Sequence, residues 1–283
     1  MFTIRKGRMK DCKDLLTVYM GTHWADSYTT VEQVKSVHKG VGFKKWGWLV
    51  GEMDGHVVGE ILFRIEKNPV TGKLGIITDI GVDVRYQKRL AIGTKLTQAA
   101  EEVLRKKNVQ RVVATSPPEA YNFWMKISYF ARGSLEIIRL NPKKIPTKGL
   151  RKIKSIQLRS IESLPKSMRF SYIAHPGSLT KLVRKIIDEG QTGKLFEYYF
   201  EDKLVGVGAL VKEDPKNAQF VADVTKSGID KASIVIAKTA KAASRWRITN
   251  IHSIIPKTYL SMYMDAAKWK TETARDIPVT RLI

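Results

Sequence analysis

At 283 residues the chain is longer than one ordinary domain and suits two of about 140 residues each, with a single large domain the alternative on length alone. An apolar fraction of 43% supplies real cores and a charged fraction of 27% is ordinary, which excludes wholesale disorder. Fifty basic against 27 acidic residues give a net charge of +23, a field that draws anions such as nucleic acid, phosphorylated cofactors or acidic proteins.

Cys12 is the single cysteine, so no intrachain disulfide and no cysteine-built metal site can form, and a reducing, cytoplasmic setting is expected. The opening MFTIRKGRMKDCKDLL has no apolar run of signal-peptide length, and about 18 consecutive apolar residues occur nowhere, so neither secretion nor membrane spanning is expected. His23, His38, His56, His175 and His252 lie far apart without metal-ligand spacing, and no metal is expected.

In chain order, Phe2 to Arg5 reads as a strand and Asp11 to Met20 as a helix with Leu15, Leu16 and Tyr19 on one face; Thr30 to His38 reads as a second helix. Trp48 to Phe63 contains two strand-like runs around Asp54-Gly55, a strong hairpin pattern. Leu74 to Val84 is a further strand. From about Ile92 to Lys107, the positions Ile92, Leu96, Ala99, Ala100, Val103 and Leu104 form the apolar stripe of a helix. A strand (Arg111 to Thr115), a helix (Pro118 to Ile127) and a strand (Leu135 to Leu140) complete the first half.

Residues 141–155 carry six basic side chains, two prolines, a glycine and no acid. They read as an interdomain linker rather than a nucleic-acid-binding arm, because no aromatic residue is present to stack on bases. The second half repeats the order of the first. Phe196 to Leu210 is again a hairpin, with Gly206 set on Gly59. At a constant offset of 139, Arg247 to Pro256 falls on Asn108 to Pro117 and Tyr259 to Met264 on Ala120 to Met125. A tandem duplication is expected.

The stretch VDVRYQKRLAIGTKL, residues 82–96, runs from a strand into a helix N-terminus through a basic segment that ends in small residues. Amide groups at such a terminus carry partial positive charge and can hold a phosphate, and small residues allow close approach. Together with its flanking strand and helix, Lys88-Arg89-Leu90-Ala91-Ile92-Gly93 resembles the Gln/Arg-x-x-Gly/Ala-x-Gly/Ala pyrophosphate segment of the GNAT superfamily of CoA-dependent N-acyltransferases. The opening Ile4 to Leu16 and the hairpin with Val57-Val58-Gly59 are similar to that family's first strand and helix and its central strands. Ala120 to Tyr129 resembles its Ala-x-x-Phe-Tyr-x-Lys-x-Gly-Phe segment.

The resemblance implies an α/β (α+β) fold of two GNAT-like domains, each a mixed, mostly antiparallel central sheet flanked by helices. Residues 1–140 are expected to be the acetyl-CoA-binding catalytic domain, 141–155 the basic linker, and 156–283 a degenerate copy. It implies acetyl-CoA as co-substrate, held by Gln87, Lys88, Arg89, Leu90, Ala91, Ile92, Gly93 and Thr94, with Trp124 alongside and Ile80, Gly81 and Val82 near the acyl group. Lys88 stands where the family has Gln or Arg, Ala91 where glycine is commoner, and the segment is one residue longer than usual, so either Gln87 or Lys88 is the leading position.

An amine must lose a proton before it attacks a thioester, which calls for a carboxylate: Asp79, or Glu60 on the preceding strand. Trp124 occupies the place of a tyrosine that protonates the departing thiolate, and an indole N–H is too weak an acid for that; Tyr121, one helical turn away, is the nearest substitute. Trp24, Trp46 and Trp48 are candidates for a cleft wall. In the second copy Ser227 to Ala232 falls on the phosphate segment, and Asp230 would repel a pyrophosphate. The expected activity is acetyl transfer to a primary amine, with anionic or nucleic-acid-associated acceptors favoured by the charge. The alternative is an inactive GNAT-derived module that binds nucleic acid or an acidic partner through its basic surface.

Overall fold

The computed structural model describes residues 1–22, 25, 28–88, 90–147, 149–158 and 164–283. Among the described residues the strands form two seven-stranded sheets. The first half supplies β1 (Phe2–Lys6), α1 (Cys12–Met20), α2 (Val31–Val37), β2 (Trp48–Met53), β3 (His56–Asn68), β4 (Gly72–Val82), α3 (Ile92–Arg105), β5 (Arg111–Ser116), α4 (Tyr121–Lys126), β6 (Phe130–Ala131) and β7 (Leu135–Leu140). The second supplies β8 (Lys154–Leu158), α5 (Ser178–Ile187), β9 (Gly193–Phe200), β10 (Lys203–Lys212), β11 (Asn217–Val224), α6 (Ala232–Lys241), β12 (Asn250–Pro256), α7 (Leu260–Ala266), β13 (Lys270–Thr273) and β14 (Ile277–Leu282).

The strand orders are β1-β2-β3-β4-β5-β14-β6 and β13-β7-β12-β11-β10-β9-β8. In each sheet only one adjoining pair is parallel, β4 with β5 and β11 with β12. Both are the mixed, mostly antiparallel sheets expected. Sheet membership nevertheless crosses the division at residue 140. β7, which the sequence suggests as the last strand of the first domain, pairs with β12 of the second sheet, and the C-terminal β14 takes its place beside β5. The two halves therefore exchange their last long strands. The basic segment 141–155 is also part of the second unit: Ile145 and Ile153 are buried in its core, and its end enters β8.

Alternation of side chains puts α1 and α2 on one face of the first sheet and α3 and α4 on the other. Cys12, Leu15, Val18, Val34 and Val37 pack with Trp48, Val50, Val57 and Leu62. Ile92, Leu96, Ala100 and Leu104 pack with Leu49, Val58, Ile61 and Phe63. The period of two is interrupted once on β3. Glu52 pairs with Val57 but Gly51 with Gly59, so Val58 is an extra residue in the ladder. That bulge turns Glu60 toward α1 and α2 instead of solvent.

Gly59 pairs with Val82, the last residue of β4, and Gly206 with Val224, the last of β11, which supports the alignment of the two hairpins. At both glycines a helix crosses the sheet too closely for a side chain. A Cβ on Gly59 would lie 2.9 Å from the Gly81 carbonyl oxygen and 3.3 Å from Leu96, and one on Gly206 would lie 2.7 Å from the Asp223 carbonyl oxygen and 3.0 Å from Val235. Gly59→Ala and Gly206→Ala are each expected to lower stability by about 1–3 kcal/mol, read as a shift in the urea midpoint; an unshifted midpoint would mean that the close approach is not a packing constraint.

Candidate functional site

The ladder between β4 and β5 holds for only three residue pairs, Leu74–Arg111, Gly75–Val112 and Ile76–Val113. Just beyond them, Leu62 pairs with Asp79 and Phe63 with Ile77, so Thr78 is a bulged residue, and its hydroxyl donates to the Leu62 carbonyl. From there β4 stays with β3 as far as Val82, and among the described residues no strand takes up its other edge. Backbone amides on a sheet edge need partners. Ile80, Gly81 and Val82 lie on this open stretch, at the mouth of a V between the two strands.

β4 leads into the basic loop. Asp83 is buried, caps a 3-10 turn through the Arg85 amide and forms an ion pair of 2.6 Å with the Arg85 side chain. The Gln87 side chain donates to the Val82 carbonyl at 3.0 Å, so it braces the loop from within. Lys88, Leu90 and Ala91 all have positive φ, +61°, +54° and +50°. Three left-handed residues without glycine are strained, and here they turn the chain directly onto α3. No side chain caps that helix, no acid lies in its first turn, and its first backbone bond runs from the Lys95 amide to the Ala91 carbonyl. The amides of Ile92, Gly93 and Thr94 are therefore available to an anion. Lys88 is exposed beside them; Arg89 lies outside the described residues. Phe123 of α4 packs over Gly93, where a Cβ would sit 3.1 Å from its ring.

On the opposite face, Glu60 is completely buried and accepts from the Tyr19 hydroxyl, from His38 Nε2 at 2.9 Å and from Trp48 Nε1 at 3.0 Å. His38 Nδ1 lies 2.8 Å from the Val34 carbonyl. Burial alone would push the His38 pKa down, but its contacts with Cys12, Glu60 and Val34 raise it to about 10, so His38 is an imidazolium paired with Glu60. Glu60 is thus a structural carboxylate enclosed by three donors. Asp79 lies opposite Leu62 in register, on the same face, but half-buried and open to a cleft. Burial and the charge of Glu60 push its carboxyl above the ordinary range, against the pull of Arg184, Thr78 and Arg64. Tyr28, partly exposed and 5.2 Å from the Tyr19 ring, is raised by burial and by the charge of Asp79.

Tyr121 opens α4 on the β5 arm of the V and is partly buried. Trp124, placed by the sequence among the CoA contacts, is 3% exposed and enclosed by Phe123 and Tyr129. It is a core residue. Trp48 is likewise interior, Trp46 lies under Lys107, and Trp24 is outside the described residues.

The second unit packs against the cleft that holds Asp79, as expected of a second copy that completes the cleft or stabilises the first domain. Val41, in the loop after α2, packs into the core beneath α5, and its amide donates to Asp188 Oδ2 at 2.7 Å. Glu66 of β3 is buried and accepts from Ser171, Gly177 and Thr180. Between these contacts lies a cavity of about 300 Å³, lined by residues including Lys39, Lys44, Arg64, Arg169 and Asp188. Through Val41–Lys44 and Arg64 it adjoins a narrower one of about 30 Å³ that reaches Asp79 and Arg184.

The second V is closed. β11 and β12 also separate after three pairs, but the Asp223 carboxylate on the freed part of β11 accepts from the amides of Tyr172, Ile173, Ala174 and Val224. The Tyr263 hydroxyl, from α7, reaches the Ala222 carbonyl. In place of the left-handed loop, Lys226–Lys231 is a 3-10 helix packed so tightly that a Cβ on Gly228 would lie 2.0 Å from the Val205 oxygen. Asp230 is exposed and paired with Lys231, which offsets the repulsion expected of it.

Residues 17–129 match the acetyltransferase (GNAT) family. The whole chain aligns with 73% of a GCN5-related N-acetyltransferase from Anabaena variabilis at TM-score 0.66 and 12% identity. It aligns with 71% of a GCN5-related N-acetyltransferase from Kribbella flavida at TM-score 0.60 and 15% identity. A tandem GNAT protein from the clavulanic acid biosynthesis pathway is covered to 98% at TM-score 0.55 and 12% identity. No curated protein matches the chain in sequence. At these identities the structural likeness establishes the fold.

Burial raises the Asp223 carboxyl from the ordinary 3.8 to about 7, although four amides pull it down. A raised carboxyl stabilises the fold in its protonated form, so its contribution is full below about pH 3.8 and is lost as pH rises through 7. The melting temperature of the wild type, relative to Asp223→Asn, is therefore expected to fall between pH 5 and 8; a constant difference would show that the four amides keep the carboxylate ionised throughout.

Proposed function

From the match of residues 17–129 to the acetyltransferase (GNAT) family, we propose that this chain transfers the acetyl group of acetyl-CoA to a primary amine by direct attack within a ternary complex. One observation carries the reading: the open edge of β4 leads through a left-handed basic loop to the uncapped N-terminus of α3. Free amides, a lysine and no acid fit a pyrophosphate. The second V, where Asp223 and the Ala222 carbonyl are engaged by Tyr172–Ala174 and Tyr263 and no left-handed loop is present, favours the first unit for this role.

Lys88 and the first-turn amides of α3 would hold the pyrophosphate, and Gly93 keeps that turn clear of a side chain. Acetyl-CoA, when bound, supplies an activated thioester carbonyl. Asp79, with its raised pKa, accepts the proton of the acceptor ammonium, directly or through water, and frees the nitrogen lone pair for attack. Backbone amides in Ile80–Val82 donate to the carbonyl oxygen as negative charge develops there, an interaction of the kind worth about 10²–10³ in rate. Tyr121, on the other arm of the V, is the nearest side chain to supply a proton to the departing sulfur. Glu60 takes no part in proton transfer; it anchors α1 and α2 beneath the acceptor cleft.

Isothermal titration is expected to show acetyl-CoA binding that Gly93→Glu abolishes, since the new carboxylate would enter the phosphate site. Absence of binding to the wild type, with salt-sensitive nucleic-acid binding instead, would favour the inactive-module reading. In a thiol-release assay with a responsive amine, Asp79→Asn is expected to lower kcat by about 10²–10⁴-fold with acetyl-CoA affinity unchanged. The wild-type rate is expected to decline on the acid side at a pH above the ordinary carboxylate range; unchanged turnover of Asp79→Asn would remove Asp79 from the mechanism.

A further inference from the structure

Arg184 belongs to α5 of the second unit, yet it lines the same narrow cavity as Asp79 of the first. Its charge acts on both the Asp79 carboxyl and the Tyr28 phenol. Among the described residues, its buried Nε has no hydrogen-bond partner. That same Nε lies 3.5 Å from Asp188 Oδ2, its one ion pair among the described residues, and this carboxylate already accepts from the Val41 amide. The planar fork of the guanidinium beyond Nε is shaped for a carboxylate or phosphate. Lys44 lines this cavity as well as the larger one that opens from it.

Two carboxylates close to this path already have partners. Glu66 is held by Arg64, Ser171, Gly177 and Thr180, and Asp188 by Val41 and Arg184. Lys39, Lys44 and Arg169 leave the entrance cationic, a surrounding that repels polyamines and attracts an anion. The cavity of about 300 Å³ is sized for a small molecule, and through Val41–Lys44 and Arg64 it meets the narrower one that Asp79 and Arg184 line.

We propose that Arg184, helped by Lys44, selects the acceptor: a small primary amine that also carries a carboxylate or phosphate, with its anionic end on the second unit and its amine at Asp79. This rests on the acetyltransferase reading and deepens it by assigning the substrate class. It also gives the catalytically closed copy a task, since the first unit alone would lack the anion-binding wall.

The test uses the full chain and two matched pairs, 5-aminopentanoate against pentylamine and glucosamine 6-phosphate against glucosamine, with affinities measured by titration without acetyl-CoA. At least one anionic member is expected to bind ten times or more tightly than its partner, and the pair that shows the difference distinguishes carboxylate from phosphate. Arg184→Gln is expected to erase the preference and Arg184→Lys to retain part of it, with melting temperature and acetyl-CoA affinity unchanged in both. No preference in either pair, or a preference that survives Arg184→Gln, overturns the proposal. Failure of the wild type to bind acetyl-CoA is a separate result, which removes the transferase reading and leaves the anion-site measurement standing.

Discussion

The structure depends on a ladder that stops early. Two parallel strands begin to pair at β4 and β5, make three residue pairs and part at the Thr78 bulge. Each backbone amide left on the open edge must find a partner, and in a folded protein it finds water, another segment or a ligand. The V-shaped gap is therefore a place of unmet hydrogen bonding built into the sheet itself. The α3 helix starts at its mouth, so the free edge of a strand and the free amides of a helix terminus serve one site.

The duplicated unit differs at the same place. Its ladder also ends after three pairs, but Tyr172–Ala174 and Tyr263 bring the chain's own donors to β11, and a 3-10 helix replaces the left-handed loop. The cost of burying Asp223 shows in its raised pKa, with four amides offsetting it in part.

The two units are joined at several levels. β7 and β14 are exchanged between the sheets, Val41 enters the core under α5, and Arg169–Ser171 pairs with Lys67 at the end of β3. Each contact links sequence positions more than a hundred residues apart. The loop from Lys39 to Lys44 is thus positioned by both units, and the position of this loop sets the width of the path to Asp79.

Much of this was legible in the residues. The elements, their order and the duplication follow from periodicity and turn chemistry, and the basic segment before Ile92 marks an anion-binding helix start because such starts are local backbone features. Trp124 and Glu60 show where local reading stops. Trp124 occupies a family position on the cleft but is interior here, because Phe123 and Tyr129 close over it. Glu60 would face solvent by simple alternation, and one extra residue at Val58 reverses that parity. Strand exchange and the presence of Arg184 beside Asp79 are further from reach still. Sequence determines which faces are apolar and where the chain turns, since those depend on neighbours a few residues away. Which strand pairs across the sheets, and which distant cation completes the cleft, is decided only when the two cores pack together, because those contacts gain their free energy from surfaces that do not exist until both halves have folded.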